Sequence, residues 1–246
     1  MTDRGVFVLF DLGETLVDLT DLVGRIADRL RREIPGMEQD AERTSHDWIR
    51  RTSVSLPRAE GAPFVREIDV AAMVLRELLA ARGITITASG ADELLRRAWN
   101  DFEPSVRFCP GVSREWLGEL QGLAEGLGVV TDGDIVNVNR LVKRLDLERY
   151  FRVIVTSEAV RAYKPNPRIY RAALEALGAE PHNSIFVSDT PLDLQGAAAV
   201  GMGTALLPRG LLSESAKLPP GALRLSGPQD LRDVIVSWSK ETSGLP

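Results

Sequence analysis

The sequence predicts an α/β protein: a doubly wound parallel sheet carrying an inserted, all-helical unit. Three observations predict it. After residue 108, short apolar runs of strand length alternate with helical patterns, and such alternation builds parallel sheets through right-handed crossovers. One further run, Val6-Phe7-Val8-Leu9-Phe10, stands apart near the start; an unbroken apolar run suits a strand buried on both faces. Between the two, from Asp18 to about Phe102, the pattern is amphipathic helix with no strong strand period.

The elements follow in order. Helical patterns run over Leu22–Ile34 and Val70–Arg82, the second stopped by Gly83. Pro57, Gly61 and Pro63 mark a loop over Ser53–Pro63. Leu127–Val130 reads as a strand ending at Thr131-Asp132-Gly133, followed by a helix through Leu145. Val153–Val155 is the next strand, and Pro167–Leu177 the next helix, closed by Gly178. Ile185–Val187 leads into Ser188-Asp189 and a helix over Leu192–Val200. Thr204–Leu207 is another strand and Asp230–Ser239 the final helix. The expected division is a discontinuous core, residues 1–18 and 106–246, around a helical unit of residues 19–105. Leu16–Thr20 and Glu103–Gly111 would be its hinges.

Composition narrows the function classes. A net charge of −5 leaves no broad basic footprint for nucleic acid. The only cysteine, Cys109, excludes an internal disulfide and reads as a buried small hydrophobe. Two histidines, His46 and His182, rule out a histidine-rich zinc site. No apolar stretch approaches the roughly 18 residues of a membrane span, and the first residues become polar too soon for a secretory signal. The expectation is a cytoplasmic monomer or homodimer whose partner is a small molecule, with no nucleic acid and no membrane.

The chemistry concentrates at the ends of the expected strands. Asp11 follows the first, Thr131 the second, and Asp189 with Asp193 the fourth; Lys164 lies after the third. Parallel strands open all these ends on one side, where ligands of such sheets bind. Three nearby carboxylates raise one another's pKa unless a cation neutralises them. Magnesium suits such a set, because it favours carboxylates, water and a substrate phosphate. Lys164 would orient Asp11 and offset phosphate charge, and Thr131 would hold phosphoryl oxygens; phosphoryl transfer needs little beyond this.

Phe10-Asp11-Leu12-Gly13-Glu14-Thr15-Leu16, Val129-Val130-Thr131-Asp132-Gly133, Lys164-Pro165-Asn166-Pro167 and Ser188-Asp189-Thr190-Pro191-Leu192-Asp193 resemble, in that order, the four motifs of the haloacid dehalogenase superfamily. Val155-Thr156-Ser157-Glu158 and Gly196-Ala197 to Gly201-Met202 are similar to it as well. The resemblance covers roughly residues 5–18 and 106–208, and the helical insert is similar to the cap of subfamily I. It implies a Rossmann-like core and hydrolysis of a small phosphomonoester. Asp11 would be the nucleophile forming an aspartyl phosphate, Thr131 would bind the phosphate and Lys164 would stabilise it. Magnesium would be held by Asp11, the backbone carbonyl of Gly13, Asp189 and Asp193.

One position departs from that pattern. Most phosphatases of the family carry a second aspartate, the general acid and base, two residues after the nucleophile; here Gly13 stands there. Such a group contributes about 10²–10⁴-fold. Glu14 is the candidate catalytic substitute, although neighbouring side chains of an extended segment point opposite ways. The other readings are an easily expelled leaving group, a cap residue or water acting instead, or lost activity in a phospholigand-binding protein. The family's haloacid dehalogenases also lack the second aspartate, but they need no metal and lack the full magnesium pair. Phosphonate cleavage needs a cap amine, and lysine is absent from residues 1–142. Thr15 reads as a loop hydroxyl bonding backbone, Asp132 as a turn residue, and Trp48, His46, Arg25, Arg50 and Arg51 as packing or solvated groups of the insert.

Overall fold

The computed structural model describes residues 5–59, 61–209 and 217–243; the outermost ends of the expected core, residues 1–4 and 244–246, lie outside them. Its elements are β1 (Phe7–Phe10), β2 (Val17–Asp18), α1 (Thr20–Glu33), α2 (Ala41–Ser55), α3 (Glu67–Ala80), α4 (Ala88–Phe102) and β3 (Arg107–Phe108). There follow α5 (Arg114–Leu123), β4 (Gly126–Thr131), α6 (Ile135–Leu145), β5 (Val153–Thr156), α7 (Ser157–Val160), α8 (Pro167–Leu177) and β6 (Ser184–Ser188). The last are α9 (Pro191–Ala199), β7 (Gly203–Leu206), β8 (Leu223–Arg224) and α10 (Leu231–Ser243).

Six strands form one sheet in the order β5-β4-β1-β6-β7-β8, every pair parallel. Strand side chains alternate between faces, and the two faces feed two apolar layers. Val8, Phe10, Leu127, Val129, Ile185 and Val187 pack with Leu117 and Leu120 of α5 and Val138, Leu141 and Val142 of α6. Phe7, Leu9, Val130 and Phe186 pack with Ile169, Tyr170, Ala173 and Leu174 of α8 and Leu194 and Ala197 of α9. The continuous apolar runs at β1, β4 and β6 are therefore strands with no solvent face, while β5 at the edge is partly buried.

β1 lies between β4 and β6. The helix after β6, α9, covers one face, while the helix that follows β1 on the core, α5, covers the other. The carboxyl ends of β1 and β6 thus flank a topological switch point, where open α/β sheets leave a crevice. Asp11 and Asp189 stand there.

The insert is a ring of four helices, each packed on its sequence neighbours, with α4 closing back on α1. Leu22, Ile26, Leu30, Val74, Leu75, Leu78, Leu94, Leu95 and Phe102 fill its centre. Trp48 is buried there and its Nε1 donates to Ala71 O at 3.0 Å. The expected loop from Ser53 begins three residues later, because α2 continues through Ser55. At the hinges the chain is not plain linker: β2 and β3 pair antiparallel, Val17 opposite Phe108, and Arg107 Nε donates to Asp18 Oδ2 at 2.9 Å.

Candidate active site

Phe10 ends β1 with both faces packed, so the chain emerges at Asp11 into the crevice. There it folds back tightly: Leu16 N and Val17 N both donate to Leu12 O, and Glu14 N donates to Val17 O. Lys164 arrives from the segment between α7 and α8, where Asp132 Oδ1 accepts its backbone N–H at 2.9 Å. Asn166 then caps α8, with Pro167 in its first turn. Asp193 sits in the first turn of α9, where the helix dipole favours a carboxylate.

These residues meet. Lys164 Nζ, only 2% exposed, donates to Asp11 Oδ1 at 2.6 Å and to Asp193 Oδ2 at 2.7 Å. Burial works against its charge, but Asp11, Asp193 and Asp132 outweigh that and push its pKa up. Burial also raises Asp11 to about 6, with Lys164 opposing the rise. Thr15 Oγ1 accepts from Asp189 N at 3.1 Å and lies 3.5 Å from Asp11 Oδ2 and 3.4 Å from Asp189 Oδ1. The expected loop hydroxyl thus also joins the two carboxylates.

Asp189 is placed differently from Asp193. It is 3% exposed, its Oδ1 accepts from the Thr190 hydroxyl at 3.2 Å, and no cation pairs with it among the described residues. Burial and the charges of Asp11 and Asp193 push it up to about 8, more than Lys164 offsets. Asp193 is turned to Lys164, and Ser188 Oγ donates to the same Oδ2 at 3.2 Å. Thr131, 5% exposed, ends β4 with Oγ1 3.4 Å from the backbone N of Gly133.

A family model of haloacid dehalogenase-like hydrolases matches residues 7–201. The chain belongs to that family. A glyceraldehyde 3-phosphate phosphatase of Methanopyrus kandleri is 30% identical over 95% of this chain and 98% of its own length. A phosphoglycolate phosphatase of Pseudomonas syringae is 26% identical over 96% of this chain and 86% of its own. Among solved structures, the L-2-haloacid dehalogenase of Xanthobacter autotrophicus superposes with a TM-score of 0.74 at 22% identity, over 95% of this chain and 99% of that one. At that identity the likeness concerns the fold.

In this hydrolase a hard cation fits Asp11 and Asp189. Among the described residues no three His, Cys, Asp or Glu side chains converge as a complete cage, and Asp11 and Asp193 each give one oxygen to Lys164. Magnesium rarely takes such cages: one or two carboxylates, water and a substrate phosphate suffice. Asp189, buried beside a second carboxylate without a cation, is the group such an ion would neutralise.

Glu14, expected as a substitute for the second aspartate, makes its side-chain hydrogen bond to Leu19 rather than to this cluster. Its backbone takes the left-handed region at φ 56°, and its Oε1 accepts from Leu19 N at 2.9 Å. Burial raises its pKa, and the charges acting on it are Asp18 and Arg209. Together with Cys109, Thr20 and Pro110 these line a separate hinge pocket of about 400 Å³. Glu14→Gln keeps the bond to Leu19, so turnover is expected to stay within about twofold of wild type; a loss of 10²-fold or more would return Glu14 to the chemistry. Nor is there open room at Gly13: a Cβ there would meet Leu19 Cδ1 at 2.8 Å.

Four residues beyond the expected set reach the site. Asp132, read as a turn former, is a half-buried junction. Its Oδ1 holds Lys164 N, its Oδ2 accepts from Arg58 Nη1 at 2.7 Å, and its carbonyl accepts from Ser157 Oγ at 2.7 Å. Arg58, in the loop between α2 and α3, also donates to Lys164 O. Asp134 accepts from Glu67 N and Ile68 N at 3.0 and 2.8 Å, capping α3 from the core. Glu67 is the fourth. Arg25, Arg50 and Arg51 form surface ion pairs with Asp21, Asp47 and Glu77, as solvated groups do.

Proposed function

We propose that this hydrolase is a phosphatase of small phosphomonoesters, working through an aspartyl phosphate on Asp11 with magnesium as cofactor. The observation that carries the reading is Asp189, a buried carboxylate without a cation beside Asp11. Attack on a carbon–halogen bond has no use for that second carboxylate; transfer of a phosphoryl dianion does. The phosphatase names of relatives that match nearly the whole chain support the same choice, and suggest two- or three-carbon phosphate esters.

Lys164 holds Asp11 Oδ1 and leaves Oδ2 to attack phosphorus. Asp193, bound to the other side of that ammonium, keeps it in place. The Thr131 hydroxyl donates to a phosphoryl oxygen. Asp11, Asp189 and the carbonyl oxygen of Gly13 would hold magnesium, which would supply the charge neutralisation that lets two anions meet. The insert acts as a cap over residues at the strand ends, with Arg58 and Glu67 on its inner side, and excludes water around the transferring group.

The test is phosphate release from glyceraldehyde 3-phosphate, phosphoglycolate and related esters, with magnesium and with chelator. Release confined to the magnesium samples is expected. Gly13 favours a second reading, a metal-independent dehalogenase; halide release from 2-haloacids that persists in chelator would establish it instead.

A further inference from the structure

We propose that Glu67, supplied by the helical insert, is the general acid and base of this enzyme in place of the carboxyl missing at position 13. The inference rests on the phosphatase reading. The leaving oxygen of an in-line phosphoryl transfer lies opposite Asp11, on the side the insert covers. Glu67 is the carboxyl the insert places there, and the core fixes it. Asp134 accepts the backbone N–H groups of Glu67 and Ile68. Tyr163, directly before Lys164, donates its hydroxyl to Val65 O at 2.8 Å and stacks on Phe64 with ring centroids 5.1 Å apart.

The side chain is aimed at the phosphate-binding corner. A Cβ placed on Gly133 would stand 3.9 Å from Glu67 Oε2 and 3.8 Å from Thr131 Oγ1. The hydroxyl assigned to the phosphoryl group and the Glu67 carboxyl therefore border the same glycine, whose third neighbour, Val138 Cγ2, would stand 2.8 Å from such a Cβ and leaves no room for a side chain. The other candidates fail on geometry or chemistry. Glu14 is tied to Leu19, His46 is exposed and bonded to Glu42 O, and the Arg58 guanidinium does not release a proton.

The surroundings keep the Glu67 carboxyl protonated at neutral pH, as an acid requires. Burial first, then the charges of Asp134 and Asp132, raise it to about 8, with Arg58 and Lys164 pulling the other way. Tyr163 also faces it, its own pKa pushed up by burial and by Glu67.

In the first step Asp11 Oδ2 bonds to phosphorus, the bond from phosphorus to the ester oxygen breaks, and that oxygen takes the Glu67 proton and leaves as the alcohol. In the second, the Glu67 carboxylate takes a proton from water as the water oxygen bonds to phosphorus. Inorganic phosphate departs, Asp11 returns as carboxylate and Glu67 is again protonated. Asp134 and Tyr163 are positioning residues.

The test compares kcat/KM, which extends through departure of the leaving group, for two esters. One is phosphoglycolate or glyceraldehyde 3-phosphate, whichever wild type turns over; the other is p-nitrophenyl phosphate, whose leaving group needs no proton. Glu67→Gln is expected to lower the alkyl value by about 10²–10⁴-fold and the aryl value by less than about tenfold. It should also remove the fall in the alkyl rate above pH 8, and Glu67→Asp should restore part of the activity. Equal losses for both esters, no loss in either, or an unchanged pH profile would overturn the proposal while leaving the phosphatase reading intact. A wild type that releases phosphate from no ester would overturn both.

Discussion

Asp11→Asn is expected to lower turnover by at least about 10⁴-fold and to leave the fold standing. The two halves of that expectation come from different observations. Turnover falls because an amide offers phosphorus no anionic oxygen, and no other described carboxylate can take the place: Asp193 is bound to Lys164 and Asp189 to two threonine hydroxyls. The fold survives because the amide has the same size and Lys164 keeps Asp193 as its partner. Burial already disfavours the Asp11 charge, raising it to about 6. Removing that charge gives up the Lys164 contact but also relieves repulsion with Asp193 and Asp189. The midpoint of thermal unfolding should therefore stay within about 4 °C of wild type. Phosphate release and an unfolding curve on the same preparation decide the matter. Retained turnover would remove Asp11 from the mechanism; joint loss of turnover and stability would leave it a structural role.

How much of this was legible in the sequence follows from where each signal is local. β1, β4 and β6 of the central sheet are buried on both faces, and β5 at its edge is partly buried, so their residues read as apolar runs whatever the rest of the chain does. Asp11, Thr131 and Asp189 each end or directly follow such a run, and their side of the sheet is set by parallel topology alone. β2, β3 and β8 have two residues each, too few to show any period. The placement of Glu14 was hidden in its backbone, since a positive φ at a residue other than glycine is uncommon and its side chain accepts from Leu19 N. Asp132 has the look of a turn residue; its partners, Lys164 and Arg58, lie 32 and 74 residues away. Glu67 is the extreme case. Locally it is one more acidic residue in the first turn of a helix, and only the packing of the insert on the core puts it beside Gly133.

Lys164→Met tests the other half of the site, and its largest effect is expected on stability. Methionine matches the length of the lysine stem but removes the charge shared by Asp11 and Asp193. Breaking a buried ion pair from one side costs about 3–5 kcal/mol, because the partner stays buried and unpaired. For a chain of this size that is a fall of roughly 6–20 °C in the unfolding midpoint. The sign of the pH dependence separates this cause from simple mispacking. Asp11 and Asp189 already sit above their unfolded pKa, at about 6 and about 8, and loss of the cation raises them further. Between the unfolded and folded pKa values the native state then binds more protons, so stability falls as pH rises. The deficit of Lys164→Met should accordingly shrink as the pH is lowered from 8 to about 5, whereas a packing defect would stay constant. Adding Asp193→Asn should recover part of the loss, because the second change removes a charge the first has orphaned. Additive losses in that cycle would show that Lys164 and Asp193 do not act as a pair.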